Sequence, residues 1–172
     1  GNFPDITWSS INDEDIPCKK QINNKLVGSV LQVQHFATDD YYSQSFTDMT
    51  YEVVKYNATD EIAVTITPTA TTSKIMVEVN LFGEPNTYNH MVSIGKYING
   101  SFENNLHVED GTHNAGLANL GDMFGTGNSS TTPGTCTIKF MDTTAVTSAT
   151  TYKLICRFRA DPGTLAVNGC IT

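Results

Sequence analysis

Three of the four histidines lie between residues 90 and 113, and the densest run of ligand-type side chains is His107-Val-Glu109-Asp110-Gly-Thr-His113. On an extended strand His107 and Glu109 share a face. His113 follows in a loop. Imidazole and carboxylate are donors that zinc accepts. The spacing matches no established zinc pattern such as HExxH. His107, Glu109 and His113 are therefore weak metal candidates, ordinary polar loop residues are the plainer reading, and no cofactor is expected.

Other reactive arrangements are sparse. No serine sits in a G-x-S-x-G elbow. Asp39-Asp40 and Glu109-Asp110 are sequence neighbours, and neighbours on a strand point to opposite faces. Hydrolysis by paired carboxyls needs two of them facing one cleft, roughly 5–10 Å apart. No glycine-rich loop opens a helix. The chain reads as a protein that is not an enzyme. The cysteines are Cys18, Cys136, Cys156 and Cys170. Four allow three pairings, and none has CxxC spacing. Cys136 and Cys156 fall on apolar strand faces, where a free thiol behaves as a small hydrophobe. A disulfide among the last three requires maturation outside a reducing cytosol. Sequons begin at Asn57, Asn99 and Asn128 and matter only on a eukaryotic secretory route. Tyr41, Tyr42 and Tyr88, with Tyr56 and Tyr97, lie near loops and offer faces for stacking on sugars. Packing at strand edges is the alternative.

Composition narrows the partners. The net charge is −8 and the pI about 4.8, with 10 Lys and Arg in 172 residues. Binding a phosphate backbone needs clustered cations, so no nucleic acid is expected. No apolar run approaches the ~18 residues of a membrane-spanning helix. No membrane insertion is expected, and no leader is read at Gly1, which looks like a processed or trimmed start. Charged residues are only 16%, and 24 threonines take their place. Threonine is β-branched and solvates an outer sheet face without charge.

The elements that must position these groups are strands. Ile62, Val64 and Ile66 alternate with polar or small residues, as do Ile75, Val77, Val79 and Leu81. Period 2 places each set on one strand face. PTATTSK between them breaks the ladder at Pro68, so two strands face one core across a loop. Further strands are expected over 28–36, 46–56, 90–98, 101–108, 135–143, 150–160 and 164–172. Residues 37–45 read as a polar loop and 83–89 as a turn-rich link. Asn99-Gly100 signals a tight hairpin. Asp161-Pro162-Gly163 signals a turn in which glycine supplies positive φ. Residues 109–134 read as a long loop, and the last 38 residues as a hairpin-connected meander. The expected fold is all-β, an antiparallel β-sandwich of jelly-roll type with eight to nine strands over 28–172. Residues 1–27 differ. Phe3, Ile6, Trp8, Ile11 and Ile16 are scattered among prolines and the acidic run Asp13-Glu14-Asp15. They read as an irregular arm that docks on its own domain, or on a neighbouring subunit or particle surface.

Several stretches together resemble a family. They are Gly28-Ser-Val-Leu-Gln-Val33, Phe46-Thr-Asp-Met49, Ile66-Thr-Pro-Thr-Ala-Thr-Thr-Ser-Lys-Ile-Met-Val-Glu-Val79 and Thr147-Ser-Ala-Thr-Thr-Tyr-Lys-Leu154. Their order resembles the β-sandwich virion proteins of tailed bacteriophages, many of them marine, of tail-fibre or virion-structural type. The resemblance covers about residues 28–172. It implies a non-enzymatic structural module on the virion surface, often a homotrimer, with other virion proteins as partners. Contact with a host-surface glycan or protein follows from that placement. It implies no catalytic residue. The chain lacks the repeats or coiled coil of a long fibre, so it reads as a fibre fragment or as a small protein such as a short spike or a capsid decoration protein held by its arm. The competing expectation is a secreted carbohydrate-binding β-sandwich.

Overall fold

A computed structural model describes residues 30, 32–47, 49–87, 90–107, 116–118, 120, 133–159 and 162–171. The chain divides into two compact units, Gly1–Val33 and Gln34–Thr172. Among the described residues there is no helix, and nine strands are present, all within the second unit: β1 (Tyr42–Phe46), β2 (Glu52–Val53), β3 (Ala63–Ile66), β4 (Lys74–Pro85), β5 (His90–Ile98), β6 (Ser101–Asn105), β7 (Gly134–Thr143), β8 (Thr150–Phe158) and β9 (Gly163–Val167).

All strand pairs are antiparallel. One sheet has the order β1-β9-β4-β7. The other runs β2-β8-β5-β6, with β3 also on β8. β2 and β3 lie end to end on the same edge. Val54 donates to Leu154 O, Leu154 donates to Ile62 O, and Ile62 donates to Val54 O. Residues 55–61 are thus an excursion from one interrupted edge strand. Its tip is a side-chain turn, with Asn57 Oδ1 accepting from the Thr59 and Asp60 amides. Counting that edge once, the pairing is nested: β5 with β6, β4 with β7, β2/β3 with β8, and β1 with β9.

Alternation places one row of most strands in a shared core. It joins Phe46, Ile75, Leu81, Cys136, Ile138, Leu165 and Val167 from the first sheet to Val92, Ile94, Tyr152, Leu154, Cys156 and Phe158 from the second. Phe46 and Phe158 meet across the sheets at 5.6 Å between ring centroids. Each such side chain is worth about 1.5–3 kcal/mol when fully buried. The seam beside β1 and β2 is closed by a side chain. Gln44 donates to Val53 O at 3.0 Å and accepts from the Lys55 amide at 2.9 Å. Its amide group mimics one peptide unit between the sheet edges.

Several expectations need correction. The strand expected over 28–36 is not among the nine, since none of its described residues is in a strand. Its pattern carries apolar residues in both rows, so it selects no inner face. The expected polar loop at 37–45 instead contains most of β1, and the strand expected over 46–56 shrinks to β2. Met49 has φ 60° and turns the chain between them. The link expected from residue 83 begins only after Pro85. The C-terminal meander is absent: β7, β8 and β9 alternate between the sheets. Turn residues mark where a chain reverses, not which sheet it joins. The hairpin at Asn99-Gly100 stands, with φ 50° and 82°, the left-handed pair of a type I′ turn. Gly163 lies in β9 without positive φ. Glycine is required there by space, because an added Cβ would overlap the Phe158 ring.

Candidate functional site

Outer rows of the strands make the surfaces available for contact. On the first sheet, β4 and β7 set side chains directly opposite each other: Met76 with Met141, Glu78 with Lys139, Asn80 with Thr137 and Phe82 with Thr135. Lys139 Nζ is 3.3 Å from Glu78 Oε2, and Thr137 donates to Asn80 at 2.7 Å. Glu78 is thereby matched with Lys139 and Asn80 with Thr137 within the face. Met76, Met141 and Phe82 remain 57, 49 and 44% exposed. No strand pairs with the far side of β7 among the described residues. A ten-residue edge beside exposed apolar side chains suits contact with another chain.

The second sheet presents a different outer face. Lys153 Nζ lies 4.4 Å above the Tyr97 ring and pairs with Glu61 at 2.5 Å. Phe102 meets Tyr97 edge-on at 5.5 Å. Arg157 sits 4.8 Å over Tyr51, whose ring is 4.9 Å from that of His107. His107 Nδ1 in turn is 2.7 Å from Ser93 Oγ, both groups buried. These rings spend their faces on cations and on each other.

Two polar sites stand on the inner row of β5. At its start His90 is 1% exposed. Nδ1 lies 3.0 Å from Thr87 O, and Nε2 accepts from the Leu120 amide at 2.8 Å. That pattern makes Nδ1 the protonated nitrogen of a neutral ring. Burial lowers its pKa to about 4, against a raising hydrogen bond to Thr87. With the Val92–Ala118 bridge, His90 fastens Leu117, Ala118 and Leu120 to the strand. At the far end Lys96 Nζ is 2.9 Å from Asp142 Oδ2 on β7, and Tyr152 on β8 donates to the same oxygen at 2.7 Å. Desolvation first, then Asp142, raises the Tyr152 pKa, so the phenol stays protonated.

The sequence candidates fare unevenly. Glu109, His113, Tyr88, Phe3, Ile6, Trp8, Ile11 and Ile16 lie outside the described residues, as does Cys18. His107 is committed to Ser93 and Tyr51. Among the described residues no three His, Cys, Asp or Glu side chains group as metal ligands. Tyr41 is exposed, and its hydroxyl donates to Cys170 O at 3.3 Å. Tyr42 is not a loop aromatic but a half-buried residue of β1, paired with Val167. Cys136 and Cys156 are free and buried, and Cys170 is free and exposed. Burial pushes the Cys136 thiol up to about 11 and raises that of Cys156 further. Neither is a thiolate nucleophile at neutral pH. Motif reasoning misses the Lys96–Asp142–Tyr152 cluster. Its signal is parity: a lysine in register with Val92 and Ile94, and an aspartate in register with Cys136 and Ile138.

Comparisons with family models, curated proteins and solved structures each return no match. No helix among the described residues is long and apolar enough to cross a membrane.

Proposed function

We propose that this chain is a non-enzymatic structural module of a bacteriophage virion, built on a jelly roll and displayed on the particle surface as a homotrimer of tail-fibre or short-spike type. The observation that carries the reading is the nested pairing of strands, β5 with β6 outward to β1 with β9. A long hairpin rolled onto itself pairs its strands in that order, and eight strands in two sheets is the jelly-roll count. Jelly rolls recur in viral capsid and lectin domains. A fold alone does not define a function. The outer face of β4 and β7 adds to it, since its exposed Met76, Met141 and Phe82, and an edge of β7 that is open among the described residues, suit protein contact. The sequence resemblance points the same way. That outer face also favours a second reading, a capsid decoration protein lying against the shell with its arm as anchor. The aromatic face of the second sheet favours a lectin role less, because its Tyr97 and Tyr51 rings already carry Lys153 and Arg157.

Light scattering on the purified chain and imaging of assembled particles test this. A trimer seen at the tail supports the spike reading. Density bridging shell subunits supports decoration. A monomer that associates with no particle protein overturns both.

A further inference from the structure

The inner rows of three strands bring a lysine, an aspartate and a tyrosine to one point. Lys96 and Tyr152 are register partners on β5 and β8. Asp142 comes from β7 in the other sheet. Lys96, Asp142 and Tyr152 are 6, 8 and 6% exposed. Lys96 Nζ is 2.9 Å and the Tyr152 hydroxyl 2.7 Å from the same Asp142 oxygen. From this juxtaposition we infer that Lys96 and Asp142 condense into an intramolecular amide that joins the two sheets covalently.

In water an ammonium and a carboxylate do not condense, because both ions are well solvated and water is in excess. Burial removes both obstacles. Desolvation penalises buried charges in general, and the reaction needs only one proton passed within the pair. The two sheets hold amine and carboxyl in contact. Such fixed geometry gives intramolecular reactions effective concentrations of roughly 10⁵ M and above. The Tyr152 hydroxyl is already aimed at Oδ2, the oxygen that must leave.

The step balances without any further reagent. One Lys96 proton passes to Asp142 Oδ2. The freed Nζ lone pair attacks Cγ, and the carbonyl electrons move onto Oδ1. A second Nζ proton reaches Oδ2 through the Tyr152 hydroxyl, which gives one proton and takes one back. The Cγ–Oδ2 bond breaks, its electron pair leaving with the oxygen as water, and the carbonyl reforms. Ammonium plus carboxylate become one secondary amide and one water. Tyr152 acts as a general acid–base relay. The cross-link ties β5 to β7 and does not depend on the virion reading.

Intact-mass spectrometry of the folded full chain is the test. The expected mass lies below that of the sequence by one water, and proteolysis yields a branched peptide joining the segments around Lys96 and Asp142. Lys96→Arg keeps a cation opposite Asp142 but cannot form this amide. It should restore the full sequence mass while keeping the parent circular-dichroism spectrum. Tyr152→Phe should slow appearance of the lighter species after refolding by about a hundredfold. A folded parent chain that keeps its full mass on prolonged incubation overturns the inference. So does a water loss mapped to any other residue pair.

Discussion

His90 and Lys96 occupy the two ends of one row on one strand, separated only by Val92 and Ile94, and the fold treats them in opposite ways. His90 is buried as a neutral ring between a carbonyl and an amide. Lys96 is buried beside a carboxylate and a phenol. A titratable group near neutrality can shed its charge on burial. Lys96 is instead set against a carboxylate from the opposite sheet. The His90 site fastens a local segment to β5, and the Lys96 site fastens the opposite sheet.

That contrast sets the order of expected effects. Asp142→Ala leaves Lys96 buried without its counter-charge and should cost about 3–5 kcal/mol in urea unfolding. Replacing the pair by Lys96→Met with Asp142→Leu should recover the part of the loss due to the buried charge, because an apolar pair of similar size needs no desolvation, but not the part due to the cross-link. Full recovery to the stability of the parent would mean that the pair contributes charge balance alone and no cross-link. His90 should respond to acid. Its folded pKa lies below the unfolded value near 6.5, so the folded state binds fewer protons. Its contribution is complete above pH 6.5 and is lost as the pH falls toward 4. The loss is roughly 3 kcal/mol, and unfolding curves between pH 7 and 4 should flatten in His90→Gln. An unchanged slope in that variant would sink the neutral-ring assignment.

Smaller effects lie away from the row. Gly163→Ala forces a methyl into the Phe158 ring and should cost about 1–3 kcal/mol, read as a lower thermal midpoint. The exposed Glu78–Lys139 pair is the control for the buried one. A double-mutant cycle there should give coupling below about 1 kcal/mol, weakening with salt. Coupling as large as that of Lys96 and Asp142 would show that burial is not what separates them.

Parity is legible wherever one strand face is apolar. Leu154, Cys156 and Phe158 lie inward as their alternation requires, and so do Ile75 and Leu81. The same rule contains the charged cluster, for Lys96 and Asp142 fall in inward rows. The cluster stays hidden because an inward charge reads as an exception until its partner is known. β1 is illegible for a different reason. Its inward residues Tyr42 and Gln44 are not aliphatic, and Gln44 is inward because Val53 O and Lys55 N receive its amide. Gly163 reads as a turn residue because the Phe158 ring that demands it is not part of any turn signal.

From the order of residues alone came the strand-rich character, the inner row of most strands and the reversal at Asn99-Gly100. These depend on geometry within a few residues. Which sheet each strand joins, which edges lie open and which three polar groups meet came only with tertiary structure. Every strand offers the same backbone donors and acceptors, so its choice of partner rests on side chains far along the chain. Asp142 reaches Lys96 only because β7 and β5 face each other from opposite sheets.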